Sequence, residues 1–211
     1  MSQKSCPDMG LLYFAYGSNL STAQMRSRCP NSTPIGLAHL EGWTWIINER
    51  GYANVVPSPE TAPGVGVYGL VYRLHPKDEE NLDICEGVGY AYEREMLEVT
   101  WVATSDQKPI PGSLPATPGS PHDTKSKKKR KGKGAKDDEE STPSLPEGKF
   151  QALVYVDSLR VTPSRPKTEY IGRMNTGIKE ASGQWGLSVA YVTDVIRPYL
   201  TPQSRGRAFG A

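Results

Sequence analysis

The chain has 211 residues, of which 36% are hydrophobic, and a formal net charge of +2. This length suits one ordinary domain, or one domain with an insertion, but the apolar fraction is low for a chain that is packed throughout. No apolar run reaches the ~18 residues of a membrane span, and residues 1–10 lack the basic-then-apolar order of a secretion signal. We therefore expect an intracellular, cytoplasmic protein. The three cysteines are odd in number and share no metal-ligand spacing with the three histidines, which argues against a disulfide framework and a zinc site.

A polar segment at residues 103–148 accounts for the low apolar content. It contains no aromatic residue, and it holds nine of the 25 basic and seven of the 23 acidic side chains. Segments of this composition bury too little apolar surface to fold. We therefore predict a disordered charged insertion within a single domain that spans residues 11–200. The remainder is electrically balanced, which argues against a folded surface that neutralises phosphates.

A basic run lies inside this segment at residues 125–136, from Lys125 to Lys136. It carries eight basic side chains and is followed at once by four acidic ones. Two interpretations fit: a solvated loop whose charges largely cancel, or an arm that contacts nucleic acid or serves nuclear import. A nucleic-acid partner is therefore considered for this arm alone, and import would add the nucleus to the expected location.

The predicted elements alternate between short strands and helices. β-Favouring runs predict strands at residues 11–16, 35–48 (one or two strands), 65–74, 92–102 and 150–156. Capping and turn residues predict helices at residues 21–28, 76–85, 168–181 and 187–199. Residues 54–63 are turn-rich. The strands that flank the insertion should form a hairpin, and the glycines in residues 65–74 favour curvature. This pattern predicts an α+β fold with a small curved sheet or barrel.

The first candidate site is the turn Tyr16-Gly17-Ser18-Asn19-Leu20, which joins the first strand to the first helix. A glycine followed by small polar residues lets consecutive backbone N–H groups point into one concavity, which suits an anion or a carbonyl oxygen. An ordinary strand-to-helix turn with a Ser or Asn cap explains the same residues. The turn alone does not decide between these interpretations.

The second candidate is Glu86, at the end of the helix that begins at Pro76. A carboxylate at a helix C-terminus is disfavoured by the dipole, so its pKa should rise toward the range useful for general acid and base catalysis. A solvated surface glutamate is the alternative. Neighbouring Cys85 is predicted to be a buried small residue because no histidine is close in sequence to activate it. His39 is predicted to be a satisfied core or rim histidine.

Two separated motifs together resemble the γ-glutamylcyclotransferase family. Residues 12–20 match that family's first signature, and residues 82–88 match its segment in which a glutamate before a glycine is catalytic; here that residue is Glu86. The likeness covers residues 11–102 and 150–200. It implies a small mixed β-barrel with peripheral helices, which agrees with the pattern of predicted elements.

The resemblance also implies a reaction. A γ-glutamyl amino acid or amine would bind against the backbone of Gly17, Ser18, Asn19 and Leu20, with Tyr16 in the same turn. Glu86 would remove a proton from the α-ammonium group, and the freed amine would attack the γ-carbonyl of the same molecule to give 5-oxoproline. An intramolecular attack needs neither a metal nor an organic cofactor, so none is predicted. The small-molecule substrate is the expected partner, for a monomer or a homodimer.

Two further tyrosines are candidates for substrate binding. The family carries a substrate-lining tyrosine seven residues after its catalytic glutamate, but that position here is Glu93, and Tyr92 fits with a gap of one residue. Tyr155 could match another pocket tyrosine, or it could be an ordinary core residue of its strand. The Asn19-Leu20 ending favours γ-glutamyl dipeptides or amines over glutathione.

Two other functions remain open on the sequence. A binding module could keep the barrel and its pocket without catalysis and use the basic arm to contact nucleic acid or protein. A cyclotransferase dedicated to a natural-product pathway would share the chemistry and differ only in its substrate.

Overall fold

A computed structural model describes residues 10–58, 65–102 and 148–201. The predicted insertion, with its basic run, lies outside the described residues except for Gly148, and what was inferred about it stays a prediction. The strands are β1 (Leu11–Ala15), β2 (Thr33–Glu41), β3 (Trp43–Ile47), β4 (Ala53–Pro57), β5 (Gly66–Leu74), β6 (Glu93–Trp101) and β7 (Lys149–Val156). The helices are α1 (Thr22–Arg28), α2 (Pro76–Glu86) and α3 (Thr168–Trp185), followed by three short consecutive pieces, Val189–Tyr191, the π-helical Val192–Ile196, and Arg197–Leu200.

Five strands form a closed barrel in the order β1-β5-β2-β6-β7. Four of the five neighbouring pairs are antiparallel: β1 with β5, β5 with β2, β2 with β6, and β6 with β7. The fifth pair, β7 with β1, is parallel and closes the ring at Tyr13 and Leu153. Closure removes exposed sheet edges. The predicted α+β fold, a small mixed barrel with peripheral helices, is confirmed.

Close backbone approach explains one of the glycines in β5. A Cβ atom built on Gly69 would lie 2.6 Å from the Phe14 ring and 2.8 Å from the Ala15 carbonyl oxygen, both on β1. Any side chain here would push β1 away from β5 and open the barrel. Phe14 is completely buried as a result of this contact.

The hairpin predicted from the two strands that flank the insertion is present. β6 and β7 pair continuously from Glu93 opposite Val156 to Thr100 opposite Lys149. The ladder therefore continues almost to the point at which the chain leaves the described residues.

The turn-rich prediction for residues 54–63 is wrong at its start, because β4 forms there and pairs with β3 in a separate two-stranded sheet. Asn54 is fully buried, and its side chain bonds the backbone of Asp157 in both directions, each at 2.9 Å. These contacts over 103 residues hold an Asn-containing segment extended against its local preference for a turn.

The helix ends follow their capping residues. The Ser21 side chain accepts from the Gln24 backbone N–H and so caps α1. Only this half of the capping box that Ser21 and Gln24 predict is present, because the Gln24 side chain bonds Ser18 and Asn19 and the Ser21 N–H donates to the Ser18 carbonyl. α2 ends at Gly87, which is left-handed at φ 68°. α3 continues past the predicted end at residue 181, because Gly183 is tolerated, and stops at left-handed Gly186. No helix in the described ranges is long and apolar enough to cross a membrane.

Candidate active site

A polar cavity of about 250 Å³ lies where the turn after β1 meets the end of α2, the β3–β4 turn and the start of α3. Its described lining is dominated by hydroxyl-bearing aromatic rings and guanidinium groups, and Glu86 supplies its one carboxylate. The tyrosines are Tyr13, Tyr16, Tyr52, Tyr90, Tyr92, Tyr155 and Tyr170, and the arginines are Arg28, Arg50 and Arg173. This excess of fixed positive charge suits a small anionic ligand.

Glu86 is the last residue of α2, and its side chain reaches into the cavity with 16% of its surface exposed. Oε1 accepts from Asn19 Nδ2 at 2.8 Å and lies 3.2 Å from Arg28 Nη1. The described residues make no hydrogen bond to Oε2. Burial raises the pKa of Glu86 above its ordinary value, while Arg28 and the Asn19 hydrogen bond oppose the rise. Burial is thus the larger cause, where the sequence had pointed to the helix dipole.

Asn19 holds the carboxylate of Glu86 in place. Its side-chain oxygen accepts from Gln24 Nε2 at 2.7 Å and from Arg28 Nη1 at 3.1 Å, which directs the NH₂ group toward Glu86 and Tyr13. Its backbone carbonyl accepts from the Tyr72 hydroxyl at 2.9 Å. Every polar group of this side chain therefore has a partner, and the orientation of Glu86 is fixed from α1 and the turn together.

The turn after β1 forms one turn of 3₁₀ helix over Ser18–Leu20. Tyr16, Gly17, Ser18 and Asn19 line the cavity, but Leu20 does not. Its side chain is completely buried, next to Gly177 of α3, and its N–H donates to the Gly17 carbonyl at 3.0 Å. The structure therefore does not bring Leu20 to the site, because the 3₁₀ turn uses its amide and points its side chain into the core.

Close packing against α3 explains the glycine of this turn. A Cβ on Gly17 would lie 2.8 Å from the Tyr170 hydroxyl, which accepts from the Ser18 N–H at 3.2 Å. Burial raises the pKa of Tyr170 to about 12. The neutral Tyr170 hydroxyl therefore holds the turn, and it can come this close only because residue 17 has no side chain.

Tyr92 and Tyr155 both line the cavity and are both almost fully buried. The Tyr92 hydroxyl donates to the Ala53 carbonyl at 2.7 Å, and the Tyr155 hydroxyl donates to Asp83 at 2.7 Å. Tyr155 is thus both a core residue of β7 and part of the cavity wall, so its two interpretations are compatible. Glu93, at the position where the family has its tyrosine, is exposed on β6.

Two predictions about other residues are wrong. Cys85 is exposed, not buried, because the last turn of α2 borders the cavity. His39 is packed against the Tyr68 ring at 4.6 Å, but its Nε2 is buried without a hydrogen-bond partner among the described residues, so it is not satisfied.

Sequence reasoning missed the three arginines and Tyr170. Arg28 ends α1, Arg50 lies in the turn between β3 and β4, and Tyr170 and Arg173 are three residues apart on α3. Arg173 donates to Ser18 Oγ at 2.7 Å and to Gln24 Oε1 at 3.0 Å. The helical spacing of Tyr170 and Arg173 places them on one face, but only the tertiary structure shows that this face covers the turn.

The family model described as "Gamma-glutamyl cyclotransferase, AIG2-like" matches residues 13–117. Among curated relatives, γ-glutamyl cyclotransferase GliK of Aspergillus fumigatus is 29% identical over 127 residues, covering 51% of this chain and 46% of its own length. Human γ-glutamylcyclotransferase is 30% identical over 107 residues, covering 42% of this chain and 53% of its own length. The chain thus spans about half the length of the curated relatives it matches.

Solved structures show the same fold. A structure titled γ-glutamyl cyclotransferase aligns with a TM-score of 0.56 at 18% identity, covering 95% of this chain and 92% of its own. YkqA from Bacillus subtilis aligns with a TM-score of 0.55 at 17% identity, covering 90% of this chain and 54% of its own. The family-model match and the curated relatives support the assignment of this chain to a γ-glutamyl cyclotransferase-like family, and the solved structures share its fold.

Proposed function

We propose that this protein is a γ-glutamylcyclotransferase, which converts a γ-glutamyl amino acid or amine into 5-oxoproline and the free amine. The observation that carries the proposal is the placement of Glu86. It is the one acid among the described lining residues, it is largely buried, and it is fixed through Oε1 by Asn19 and Arg28. The names of the relatives from Aspergillus fumigatus and human support the same reaction.

In the proposed reaction Glu86 acts first as a general base. Its carboxylate takes a proton from the α-ammonium group of the substrate, and the neutral amine then attacks the γ-carbonyl carbon of the same molecule. Reaction within one bound molecule removes the entropic cost of bringing two reactants together. The raised pKa of Glu86 makes it a stronger base than an exposed glutamate, which favours this proton transfer.

The second half of the reaction returns the proton. The C–N bond to the leaving group breaks as Glu86 donates its proton to the departing nitrogen. The attacking nitrogen, which becomes positively charged on attack, gives up its second proton to the regenerated Glu86 carboxylate and from there to solvent, so the neutral five-membered lactam ring of 5-oxoproline remains. The transient oxyanion would be stabilised by turn N–H groups that are not engaged elsewhere. The Leu20 N–H is not one of them, since it donates to Gly17.

Replacing Glu86 with glutamine tests the proposal. Purified wild type and Glu86→Gln would be incubated with γ-glutamyl-alanine, and 5-oxoproline would be quantified. The variant keeps the shape and can still accept from Asn19, but it cannot take the proton, so kcat should fall by about 10²- to 10⁴-fold. Glu80→Gln, on an exposed residue of the same helix, is the matched control and should keep full activity. Unchanged turnover in Glu86→Gln would refute the role of Glu86, and no product from any γ-glutamyl donor would refute the function.

A further inference from the structure

Arg50 is a cavity-lining cation in a rigid position. It lies in the tight turn between β3 and β4, where its N–H donates to Asn48 Oδ1 at 3.1 Å and Gly51 is left-handed at φ 83°. The Gly51 carbonyl accepts from the Lys167 N–H at 3.1 Å, which ties the turn to the start of α3. The Arg50 guanidinium carbon lies 5.2 Å from the centre of the Tyr92 ring, so the side chain is held over the cavity wall.

The charge of Arg50 is not fully compensated by its acidic neighbour. Asp157 Oδ2 is 3.7 Å from Arg50 Nη1, beyond hydrogen-bond distance. The same carboxylate accepts from Asn48 Nδ2 at 2.9 Å and from both the backbone and the side chain of Arg160 at 3.1 to 3.2 Å. One buried carboxylate is therefore shared by two guanidinium groups, which leaves net positive charge beside the cavity.

Arg50 also has an unused donor. Its Nη1 is buried and has no hydrogen-bond partner in the described part of the chain. A buried donor without a partner is costly, so its presence beside the cavity calls for a functional explanation. The other two cavity arginines already make side-chain hydrogen bonds, since Arg28 bonds Glu86 and Asn19, and Arg173 bonds Ser18 and Gln24, whereas the described residues make none with the Arg50 guanidinium.

We propose that Arg50 binds the α-carboxylate of the glutamyl unit, an assignment that rests on the proposed function. The sequence pointed instead to the backbone of residues 17–20. Two of those amides are engaged, however: Leu20 N–H with the Gly17 carbonyl and Ser18 N–H with the Tyr170 hydroxyl. Arg50 lines the same cavity with 26% of its side chain exposed, and a guanidinium matches a carboxylate in charge and geometry.

This arrangement would recognise the two charges on the α-carbon separately. Glu86 would receive the α-ammonium group, and Arg50 would receive the α-carboxylate, so the reacting amine would be oriented before it loses its proton. Arg50 is then a positioning and specificity residue. It does not take part in proton transfer.

Binding of the product tests this assignment without relying on turnover. Ligand-observed NMR titrations would measure the Kd of 5-oxoproline, which keeps the α-carboxylate and has no leaving group, and of its neutral isostere 5-oxoprolinamide. Arg50→Gln should weaken binding of 5-oxoproline by about 10- to 100-fold, the range of a charge-assisted hydrogen bond, and should change the Kd of the amide by less than about twofold. Arg50→Lys should restore part of the affinity because it restores the charge.

Arg160→Gln is the matched control. Arg160 shares Asp157 with Arg50 but is not among the residues that line this cavity. Its loss leaves Asp157 to Arg50 alone, so it should weaken binding of 5-oxoproline far less than the loss of Arg50 does and should leave the Kd of the amide unchanged. If Arg160→Gln weakened binding as much as Arg50→Gln did, or if Arg50→Gln weakened both ligands equally, Arg50 would be a structural residue and the proposal would be overturned. Wild-type protein that bound 5-oxoproline no better than its amide would overturn it too.

Kinetic assays distinguish whether Arg50 binds the α-carboxylate of the glutamyl unit or the carboxylate of the leaving group. Arg50→Gln should raise KM for γ-glutamyl-alanine and for γ-glutamyl-ethylamine by the same factor, since both carry the α-carboxylate. A loss confined to γ-glutamyl-alanine would assign Arg50 to the carboxylate of the leaving group and overturn the proposal. If no donor is turned over but 5-oxoproline binding still depends on Arg50, the proposed function fails and the assignment of Arg50 as a carboxylate site stands.

Discussion

At the scale of single residues, the behaviour of Glu86 depends on a balance between burial and one arginine. Burial raises the pKa of its carboxyl group, and the positive charge of Arg28, 3.2 Å away, is the largest influence in the opposite direction. A base that is too weakly basic accepts the proton poorly, and one that is too strongly basic is already protonated at neutral pH. Arg28 therefore limits the rise in the pKa of Glu86 and favours its charged form.

Removing Arg28 should move the pH dependence of the reaction. In the proposed reaction the active form of Glu86 is deprotonated, so activity should fall as the pH decreases through its pKa. Arg28→Gln removes a charge that lowers this pKa, so the acid limb of the kcat/KM profile should shift to higher pH. The measurement is 5-oxoproline formation across the acid range.

Arg26→Gln is the control for this shift. Arg26 lies on the same helix but is exposed, so its loss changes the net charge equally without removing a contact to Glu86. Equal acid limbs in wild type and Arg28→Gln would show that Arg28 does not set the pKa of Glu86.

At the scale of elements, the position of the 3₁₀ turn depends on how closely α3 approaches it. Only 2.8 Å separates the Tyr170 hydroxyl from the place where a Cβ on Gly17 would lie. Because the cavity wall includes both residues, any separation of α3 from the turn enlarges the site and displaces Asn19, which orients Glu86.

Gly17→Ala should therefore lower both stability and activity. Overpacking at a close contact costs about 1–3 kcal/mol in the free energy of unfolding, which urea denaturation measures. Tyr170→Phe removes the atom in conflict, so the double variant should recover part of the stability that Gly17→Ala loses. Gly172→Ala is the control, since a Cβ there meets nothing within 4 Å and alanine favours the helix. Full additivity of the two changes would contradict the proposed clash.

The β3–β4 hairpin depends on Asn54 in a similar way. Its buried side chain makes three hydrogen bonds to the backbone of Asp157 and Arg160. Asn54→Ala leaves these backbone groups without partners, and we expect a loss of about 1–3 kcal/mol in the free energy of unfolding. Urea denaturation would measure it, with Gln151→Ala on the exposed side of β7 as control. A loss as small as that of the control would show that β4 is held by its strand pairing alone.

At the scale of the whole molecule, the features predictable from sequence were those encoded locally. The Ser21 cap and the β6–β7 hairpin follow from residues close in sequence or from strands with clear periodicity. β4 could not be predicted, because its extended conformation depends on Asn54 bonding a residue 103 positions away.

In the candidate site, too, some residues follow from local motifs and others only from the tertiary structure. Its motifs pointed to Glu86 and to the turn, which the structure places around one cavity. The geometry of the 3₁₀ turn, which excludes Leu20 from the cavity, is not visible in a list of residue types. Arg50 and Tyr170 reach the cavity only once the hairpin and α3 are in place, so no local pattern identifies them.

The contacts that join β6 and β7 predict the effect of shortening the chain between these strands. The Trp101 N–H donates to the Gly148 carbonyl at 3.2 Å, and the Trp101 ring stacks on Phe150 at 4.3 Å, so β6 and β7 are already joined where the chain enters and leaves residues 103–147. Deleting residues 105–146 leaves four residues between Val102 and Lys149, the length of an ordinary hairpin loop.

We therefore expect the shortened protein to keep kcat/KM for γ-glutamyl-alanine within about threefold of the full chain, because loop length changes the entropy of closing the hairpin only slowly. The described residues that form the cavity all lie outside the deletion. Assays of 5-oxoproline formation and circular dichroism would be run on both proteins. A large loss of kcat/KM in a variant that still folds would mean that residues 105–146 contribute to the site directly, since the barrel alone would then be insufficient for activity.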